Sequence, residues 1–488
     1  MSNKVALVIL DGYGIGKDYK YNAVTHANSP FLHSIFESSR ISQLEASQQA
    51  VGLPAGTMGG SEVGHYTIGA GRIVNQALHR INQEIKNGEF QKNTTLLNNL
   101  KESEDIHLIG MISDAGVHSH IDHLNAILEV VSVSSPGKKC FLHAISDGRD
   151  VEPKSLKRYI EHIQVLEKKH PQFKLATCIG RYYAMDRDKN IERTQIAFDN
   201  IYNSIQTPSE DIIDAINSQY TSGIESDYYL KPIATNNYQA PTPEDLVLFF
   251  NFRTDRAAQL SEMIVKKNKL IIFGDYCKQA TNLFENPMIK NHLGEILSKN
   301  NIPQLRVAET EKYAHVTYFF NTQVKTPYPL EDRQIVESKK VANYKQAPEM
   351  SAKLITQTVI DLQKDKDYKF ILVNYANPDL VGHSGSFEAT IQAIECIDKQ
   401  LEILCGHLLN HGYDIMVTSD HGNSEQMATN SGEPLPSHTT NPVPFTIISK
   451  QDYKLRATGE LQDVAPTILE ILNISQPAEM TGKSIIIN

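Results

Sequence analysis

The chain has no tryptophan and only five cysteines among its 488 residues. Cys140, Cys178, Cys277, Cys396 and Cys405 are odd in number and no two form a C-x-x-C pair, so cysteine chemistry is not expected and the chain reads as a reduced, cytoplasmic protein. No apolar run approaches the ~18 residues a membrane helix needs, so no membrane partner is expected. The N-terminus runs from Met1 straight into an apolar strand pattern, without the basic start and cleavage site of a signal peptide. Basic charge is also scarce, with 47 Lys plus Arg against 57 Asp plus Glu and a formal net charge of −10. Without Lys/Arg blocks, that balance argues against nucleic acid as a partner, and arginines that do cluster point to a small anion. No internal repeat and no low-complexity segment is present.

What remains is an ordinary soluble composition, 40% apolar and 21% charged, in a chain too long for one hydrophobic core. Two domains are the default. Residues 4–10 are a short apolar run rich in β-branched residues and predict a buried parallel strand. The run ends at Asp11-Gly12-Tyr13-Gly14-Ile15-Gly16-Lys17, whose glycine spacing fits neither the Rossmann fingerprint nor the Walker loop. An acid at a strand's carboxyl end is where open α/β sheets place ligands. Residues 72–87 read as a helix, and a second α/β pattern follows. Its strands fall at 107–112, 140–145, 174–179, 246–252 and 269–273, alternating with helices at 121–132, 191–204 and 256–266. Residues 205–243 read as a long loop-rich connection, and Asn286-Pro287 marks a boundary. A third set has strands at 369–376, 414–418 and 443–448, with helices at 350–363 and 387–404.

Two strands of that last third end as the first does. Strand 369–376 runs into Asn377-Pro378-Asp379-Leu380-Val381-Gly382-His383, and strand 414–418 into Ser419-Asp420-His421. His438 follows in a loop. Asp379 and His383 are four apart, close enough to chelate one ion from a first helical turn. Carboxylates and imidazoles without thiolates suit a hard to borderline divalent ion such as Mn²⁺ or Zn²⁺. With Asp11 and Ser61, seven potential ligands exceed the usual needs of one ion and suggest two, a common arrangement for phosphoryl transfer. Ser61 stands in Met58-Gly59-Gly60-Ser61-Glu62-Val63-Gly64-His65, where a glycine-lined turn can present its hydroxyl to a ligand or cap the following helix.

The middle third carries different chemistry. Asp114-Ala115-Gly116-Val117-His118, Asp147-Gly148-Arg149-Asp150, Gly180-Arg181, Asp186-Arg187 and Arg253-Thr254-Asp255-Arg256 each follow a predicted strand. Five arginines at the mouth of one sheet, in an acidic protein, predict a phosphate or carboxylate site.

Together these motifs resemble the cofactor-independent phosphoglycerate mutases of the alkaline phosphatase superfamily. The resemblance runs from Asp11-Gly12-Tyr13-Gly14 to Glu479-Met480-Thr481-Gly482, and Ala308-Glu309-Thr310-Glu311-Lys312-Tyr313-Ala314-His315 and Pro348-Glu349-Met350-Ser351 are its most specific stretches. It implies an α/β protein with an alkaline-phosphatase-like, mainly parallel sheet covered by helices on both faces, interrupted by an inserted second α/β domain. Residues 1–75 and 287–488 would form the metal-binding domain and residues 76–286 the inserted substrate-binding domain.

It further implies a monomer that interconverts 3-phosphoglycerate and 2-phosphoglycerate without added 2,3-bisphosphoglycerate. One Mn²⁺ would be held by Asp379, His383 and His438, the other by Asp11, Ser61, Asp420 and His421. Ser61 would become phosphoserine. His118, Arg149, Asp150, Arg181, Arg187, Arg253, Arg256 and Lys312 match substrate-contact positions, with Asp150 exchanging protons and Lys312 offsetting phosphoryl charge. Closure of the two domains would exclude water from phosphoserine. The chain departs from the family pattern at Gly60, where Asn is usual, at Thr57, Thr254 and Asn190-Ile191, and at Asn321-Thr322 after Phe319-Phe320.

Overall fold

The Lys4–Leu10 strand is the centre of the first structural unit. Successive residues of a strand face opposite sides of the sheet. Val5, Leu7 and Ile9 enter one buried cluster and Ala6, Val8 and Leu10 another, so apolar cores lie on both faces. That is why the sequence reads as a continuous apolar run rather than an alternating one. In the computed structural model, which describes residues 4–36, 41–203, 208–284 and 288–487, the chain divides into two units. One comprises Met1–Asn75 with Met288–Asn488, the other Gln76–Pro287. The Asn286-Pro287 pair lies outside the described residues.

The first unit's sheet has eight strands in the order Glu331–Val336, Gln304–Glu309, Phe370–Tyr375, Lys4–Leu10, Tyr413–Thr418, Val443–Ile448, Ile41–Glu45 and Thr458–Glu460. Among them Val443–Ile448 runs antiparallel to both its neighbours, and the other pairings are parallel. The helices Ser61–Ala70, Leu293–Lys299 and Val464–Ile471 pack on one face. The helices Ala352–Asp365 and Phe387–Asn410 pack on the other. The second unit repeats the plan with a seven-stranded sheet, parallel except for the short Ile233–Ala234 strand. Its helices Ile121–Ser134 and Leu156–Lys169 cover one face, and Ile191–Tyr202 and Ala258–Ile264 the other.

Several sequence expectations need correction. The helix expected over 72–87 is Ala77–Lys86, because Arg72 is bound to the Lys290 and Asn291 carbonyls and the Ile73 N–H to the Gln462 side chain, which holds this stretch outside the helix. The connection expected at 205–243 contains the ten-residue helix Ile212–Thr221, capped by the Asp211 carboxylate and anchored by Ile212 and Ile216. The Ile41–Glu45, Gln304–Glu309 and Glu331–Val336 strands were not legible. Gln304–Glu309 is fully buried but carries Arg306 at its centre, its guanidinium 4.4 Å from the Phe320 ring centroid and 5.1 Å from that of Phe370, which interrupts the apolar run. All five cysteines are free thiols.

Candidate functional site

Register assembles the metal-type ligands. Leu10 pairs with Tyr375 and Ile9 with Thr418, so the carboxyl ends of three adjacent strands coincide. Asp11, Asp379 and Asp420 emerge there, although 409 positions separate Asp11 from Asp420 (420 − 11 = 409). All three side chains are buried. Asp379 sits in the first turn of the Asn377–Gly382 helix, where Pro378 supplies a preset φ. That turn carries His383 to the same side, with Nε2 3.3 Å from Asp379 Oδ1. His438 Nε2 reaches the same oxygen at 3.2 Å and lies 3.1 Å from His383 Nε2.

Ser61 is the first residue of the Ser61–Ala70 helix, with Gly60 in the capping position. The unpaired N–H groups of a helix start favour a negative group there. Ser61 Oγ donates to Asp11 Oδ1 at 3.1 Å and lies 3.0 Å from His421 Nε2. It also accepts from Lys312 Nζ at 2.6 Å. The Lys312 ammonium donates further to Asp11 Oδ1 at 2.6 Å and Asp379 Oδ2 at 2.7 Å. A cleft of about 490 Å³ opens onto this cluster, bordered by Met58, Gly60, Ser61, Lys312, His383 and His438 among others.

The electrostatics are those of a cation-attracting site. Burial pushes Asp11 up, but the Lys312 ammonium and His421 outweigh it and hold the carboxyl well below its usual range. Asp379 is held low in the same way, by Lys312 and by hydrogen bonds from His383 and His438 acting against burial. Burial alone would lower His421, yet Asp420, Asp11 and Asp379 push it up to about 10. The same carboxylates hold Lys312 above its ordinary value. A potential that draws protons onto imidazoles equally favours a divalent cation.

The histidine orientations fit such an ion. His383 Nδ1 lies 2.7 Å from the Pro436 carbonyl, His438 Nδ1 2.8 Å from the Gly59 carbonyl and His421 Nδ1 3.2 Å from the Gly422 carbonyl. A carbonyl only accepts, so each ring keeps a proton on Nδ1 and would offer its Nε2 lone pair to an ion that displaces the Nε2 proton. This is how metal-bound histidines are usually oriented. Candidate ligand atoms form the sets Asp379–His383–His438, Asp11–Asp379–His421 and Asp11–His65–Asp420. Asp379 is thus shared between two sets, and Asp420 faces His65 at 3.2 Å more closely than His421 at 3.7 Å.

The second unit gathers the arginines expected to bind an anion. Buried Arg181 donates from Nη1 to Asp147 Oδ1 and Asp150 Oδ2, both at 2.6 Å, and from Nη2 to His118 Nε2 at 2.9 Å. Burial and then the Arg181 charge lower His118 to about 4, which keeps it a neutral acceptor. Asp255 is a second focus, with Arg253 Nε at 3.2 Å, Arg187 Nη1 at 3.5 Å and Arg256 Nε at 3.9 Å. Three guanidinium groups share this one carboxylate. Burial, then the nearby Arg187 and Arg181 charges, hold Arg256 below its ordinary value. Arg149 is exposed and lies over the Tyr228 ring at 5.9 Å.

Sequence reasoning missed several members. His65 stands one helical turn beyond Ser61, with Nδ1 2.9 Å from the Ser61 carbonyl and Nε2 3.1 Å from Asn374 Nδ2. Asn374 in turn donates to Asp11 Oδ2 at 2.8 Å. The i, i+4 spacing from Ser61 was a usable signal for His65. Nothing marked Asn374, which lies inside an apolar strand. Asp147 and Asp255 stood within the quoted motifs without an assigned role. The Gly60 departure is sterically permitted either way. Its φ of −173 is ordinary extended backbone, and a Cβ would meet His438 at 3.4 Å, an unstrained contact.

The Metalloenzyme superfamily model matches residues 3–476. The 2,3-bisphosphoglycerate-independent phosphoglycerate mutase of Clostridium kluyveri is 43% identical, over 99% of this chain and 99% of its own. That of Staphylococcus aureus (strain Mu50) is 41% identical over 99% of this chain and 98% of its own. The solved phosphoglycerate mutase of Leishmania mexicana, crystallised at low cobalt concentration, superposes with a TM-score of 0.74 at 28% identity, covering 100% of this chain and 98% of that one.

Proposed function

Because the chain belongs to the 2,3-bisphosphoglycerate-independent phosphoglycerate mutases, a family of metal-dependent isomerases, we propose that it interconverts 3-phosphoglycerate and 2-phosphoglycerate through a phosphoserine at Ser61. The observation that carries this reading is the Ser61 hydroxyl, at a helix start and within 3.1 Å of Asp11, His421 and Lys312 at once. Asp379, His383 and His438 would hold one divalent ion, and Asp11, Ser61, Asp420 and His421 a second; the N/O donor set suits Mn²⁺ or Zn²⁺, and the family resemblance favours Mn²⁺. Bound ions would supply Lewis acidity at the serine oxygen and at the transferring phosphoryl group.

The chain's own residues do the rest. Asp11 Oδ1 accepts the Ser61 hydroxyl hydrogen and so fixes the orientation of Oγ for attack. Lys312 Nζ, 2.6 Å from Ser61 Oγ, offsets charge on the phosphoryl oxygens as they arrive. Arg187, Arg253 and Arg256, which share the single carboxylate of Asp255, have donor capacity left for a carboxylate or phosphate of the substrate. Arg181 fixes Asp150, and Asp150 exchanges protons with the glycerate hydroxyls.

The test is turnover of 3-phosphoglycerate with Mn²⁺ and without added 2,3-bisphosphoglycerate. Formation of 2-phosphoglycerate is expected, and Ser61→Ala should abolish it while the fold persists. Release of inorganic phosphate without 2-phosphoglycerate would make the chain a phosphohydrolase, and mutase activity surviving in Ser61→Ala would remove Ser61 from the nucleophile role.

A further inference from the structure

The glycine run Gly12-Tyr13-Gly14-Ile15-Gly16 matched no nucleotide loop, and the structure gives it another purpose. A Cβ on Gly14 would lie 2.4 Å from the Glu425 carboxylate, one on Gly16 2.9 Å from Glu425 Cγ, and one on Gly422 2.4 Å from Glu425 Oε1. Three glycines on two distant stretches therefore make room for one acidic side chain. Glu425 is 1% exposed, and among the described residues no ion pair involves it. Its carboxylate is satisfied by neutral donors. Oε2 accepts from the Asn423 backbone N–H at 2.7 Å, and Oε1 accepts from the Thr439 hydroxyl and from Asn441 Nδ2 at 3.0 Å.

These partners stand beside the ligand histidines. Asn423 is two residues beyond His421, and its Nδ2 donates to Asp379 Oδ1 at 2.9 Å, the same oxygen that faces His383 and His438. Thr439 follows His438 directly and pairs with Gly422 as an isolated bridge. The 11–16 segment is tied in by Ile15 N–H to the Pro442 carbonyl at 2.8 Å and by Ser424 N–H to the Gly12 carbonyl at 3.0 Å. A buried carboxylate is costly unless hydrogen-bonded, so its retention at this junction needs a reason.

We propose that Glu425 is a positioning residue that clamps the three ligand-bearing segments, 11–16, 420–423 and 438–441, and so sets the metal affinity of the cluster. It reaches Asp379 through Asn423 and His438 through Thr439. The inference rests on the metal reading above. Supporting groups behind metal ligands typically change affinity by about 10- to 100-fold when removed.

The experiment is Mn²⁺ binding to the full chain, followed by electron paramagnetic resonance, together with thermal unfolding in EDTA. Glu425→Gln keeps the volume but replaces one acceptor oxygen by a donor. It should weaken Mn²⁺ binding by about 10- to 100-fold while unfolding in EDTA shifts by only a few degrees. Glu425→Asp, which restores the charge but not the reach, should recover less than half of that loss on a logarithmic scale. Thr439→Val removes one contact at Glu425 and should weaken binding in the same direction by a smaller factor; if Glu425→Gln does not fold, this variant decides. Wild-type Mn²⁺ affinity in whichever variant decides overturns the clamp while leaving the metal reading standing. A wild-type chain that binds no Mn²⁺ overturns both.

Discussion

Replacing Lys312 by Met tests the electrostatic core of the site. Lys312 is 3% exposed and its ammonium donates to Asp11, Asp379 and Ser61 within 2.7 Å. Methionine fills a similar volume but takes away the cation nearest two buried carboxylates, leaving only the His421 imidazolium beside them. Breaking a buried ion pair by removing one partner costs about 3–5 kcal/mol. For a unit of this size each kcal/mol lowers the melting midpoint by roughly 2–4 °C, so a drop on the order of 10 °C is expected in EDTA at pH 7. The sign with pH follows from the depressed carboxylates. Their contribution is fully present above the unfolded value of about 3.9 and is lost as pH falls through the lower folded values. The gap between variant and wild type should therefore be wide at neutral pH and close in strong acid. Mn²⁺ should narrow the gap at pH 7, because ions at Asp11 and Asp379 offset the same two charges. Differential scanning calorimetry in EDTA and in Mn²⁺ measures both. A variant melting within about 2 °C of wild type in EDTA, or a gap that widens with Mn²⁺, refutes the reasoning.

Three further outcomes separate structure from substrate binding. Arg253→Ala removes a 45% exposed side chain that among the described residues forms an ion pair only with Asp255, so stability should change by less than about 1 kcal/mol. KM for 3-phosphoglycerate should rise roughly 10- to 100-fold for loss of a charged hydrogen bond, and an unchanged KM in steady-state assays removes Arg253 from the substrate site. Burial lowers His123 to about 3, so the folded chain keeps it neutral while the unfolded chain binds a proton below pH about 6.5. Stability should fall with pH through that window by about 1.4 kcal/mol per unit from this residue, and denaturant titrations of His123→Gln should show the slope reduced by that amount. Gly69→Ala would place a Cβ 1.9 Å from the Phe320 carbonyl oxygen, backbone that cannot yield cheaply. It should destabilise the first unit by about 1–3 kcal/mol or more, with a wild-type melting curve counting against the packing described.

Much of the outline was local information. The apolar run at 4–10 announced a strand buried on both faces, because hydrophobic pattern depends only on neighbours a few residues away. Acids at the ends of predicted strands, with His383 one helical turn beyond Asp379, pointed to a gathering of carboxylates and imidazoles before any pairing was known. Local pattern failed where tertiary contacts overrode it. Arg306 hides the Gln304–Glu309 strand because its burial is offset by the Glu331 charge and the Phe320 and Phe370 rings, which no window of sequence around it contains. Asn374 gave no signal because its role is a hydrogen bond to Asp11, 363 positions away.

The sequence by itself thus determined the residue chemistry: oxygen and nitrogen donors at strand ends, a serine among glycines, and arginines after the strands of the middle third. Only the tertiary structure decided which atoms meet. Parallel pairing of Lys4–Leu10 with both Phe370–Tyr375 and Tyr413–Thr418 brings the three carboxylates together. Their shared potential then draws Lys312 onto the serine. Glu425 shows the difference most directly. Its glycine neighbours at 14 and 16 were visible from the start, but the reason for them is a side chain more than four hundred residues away that only folding brings into contact.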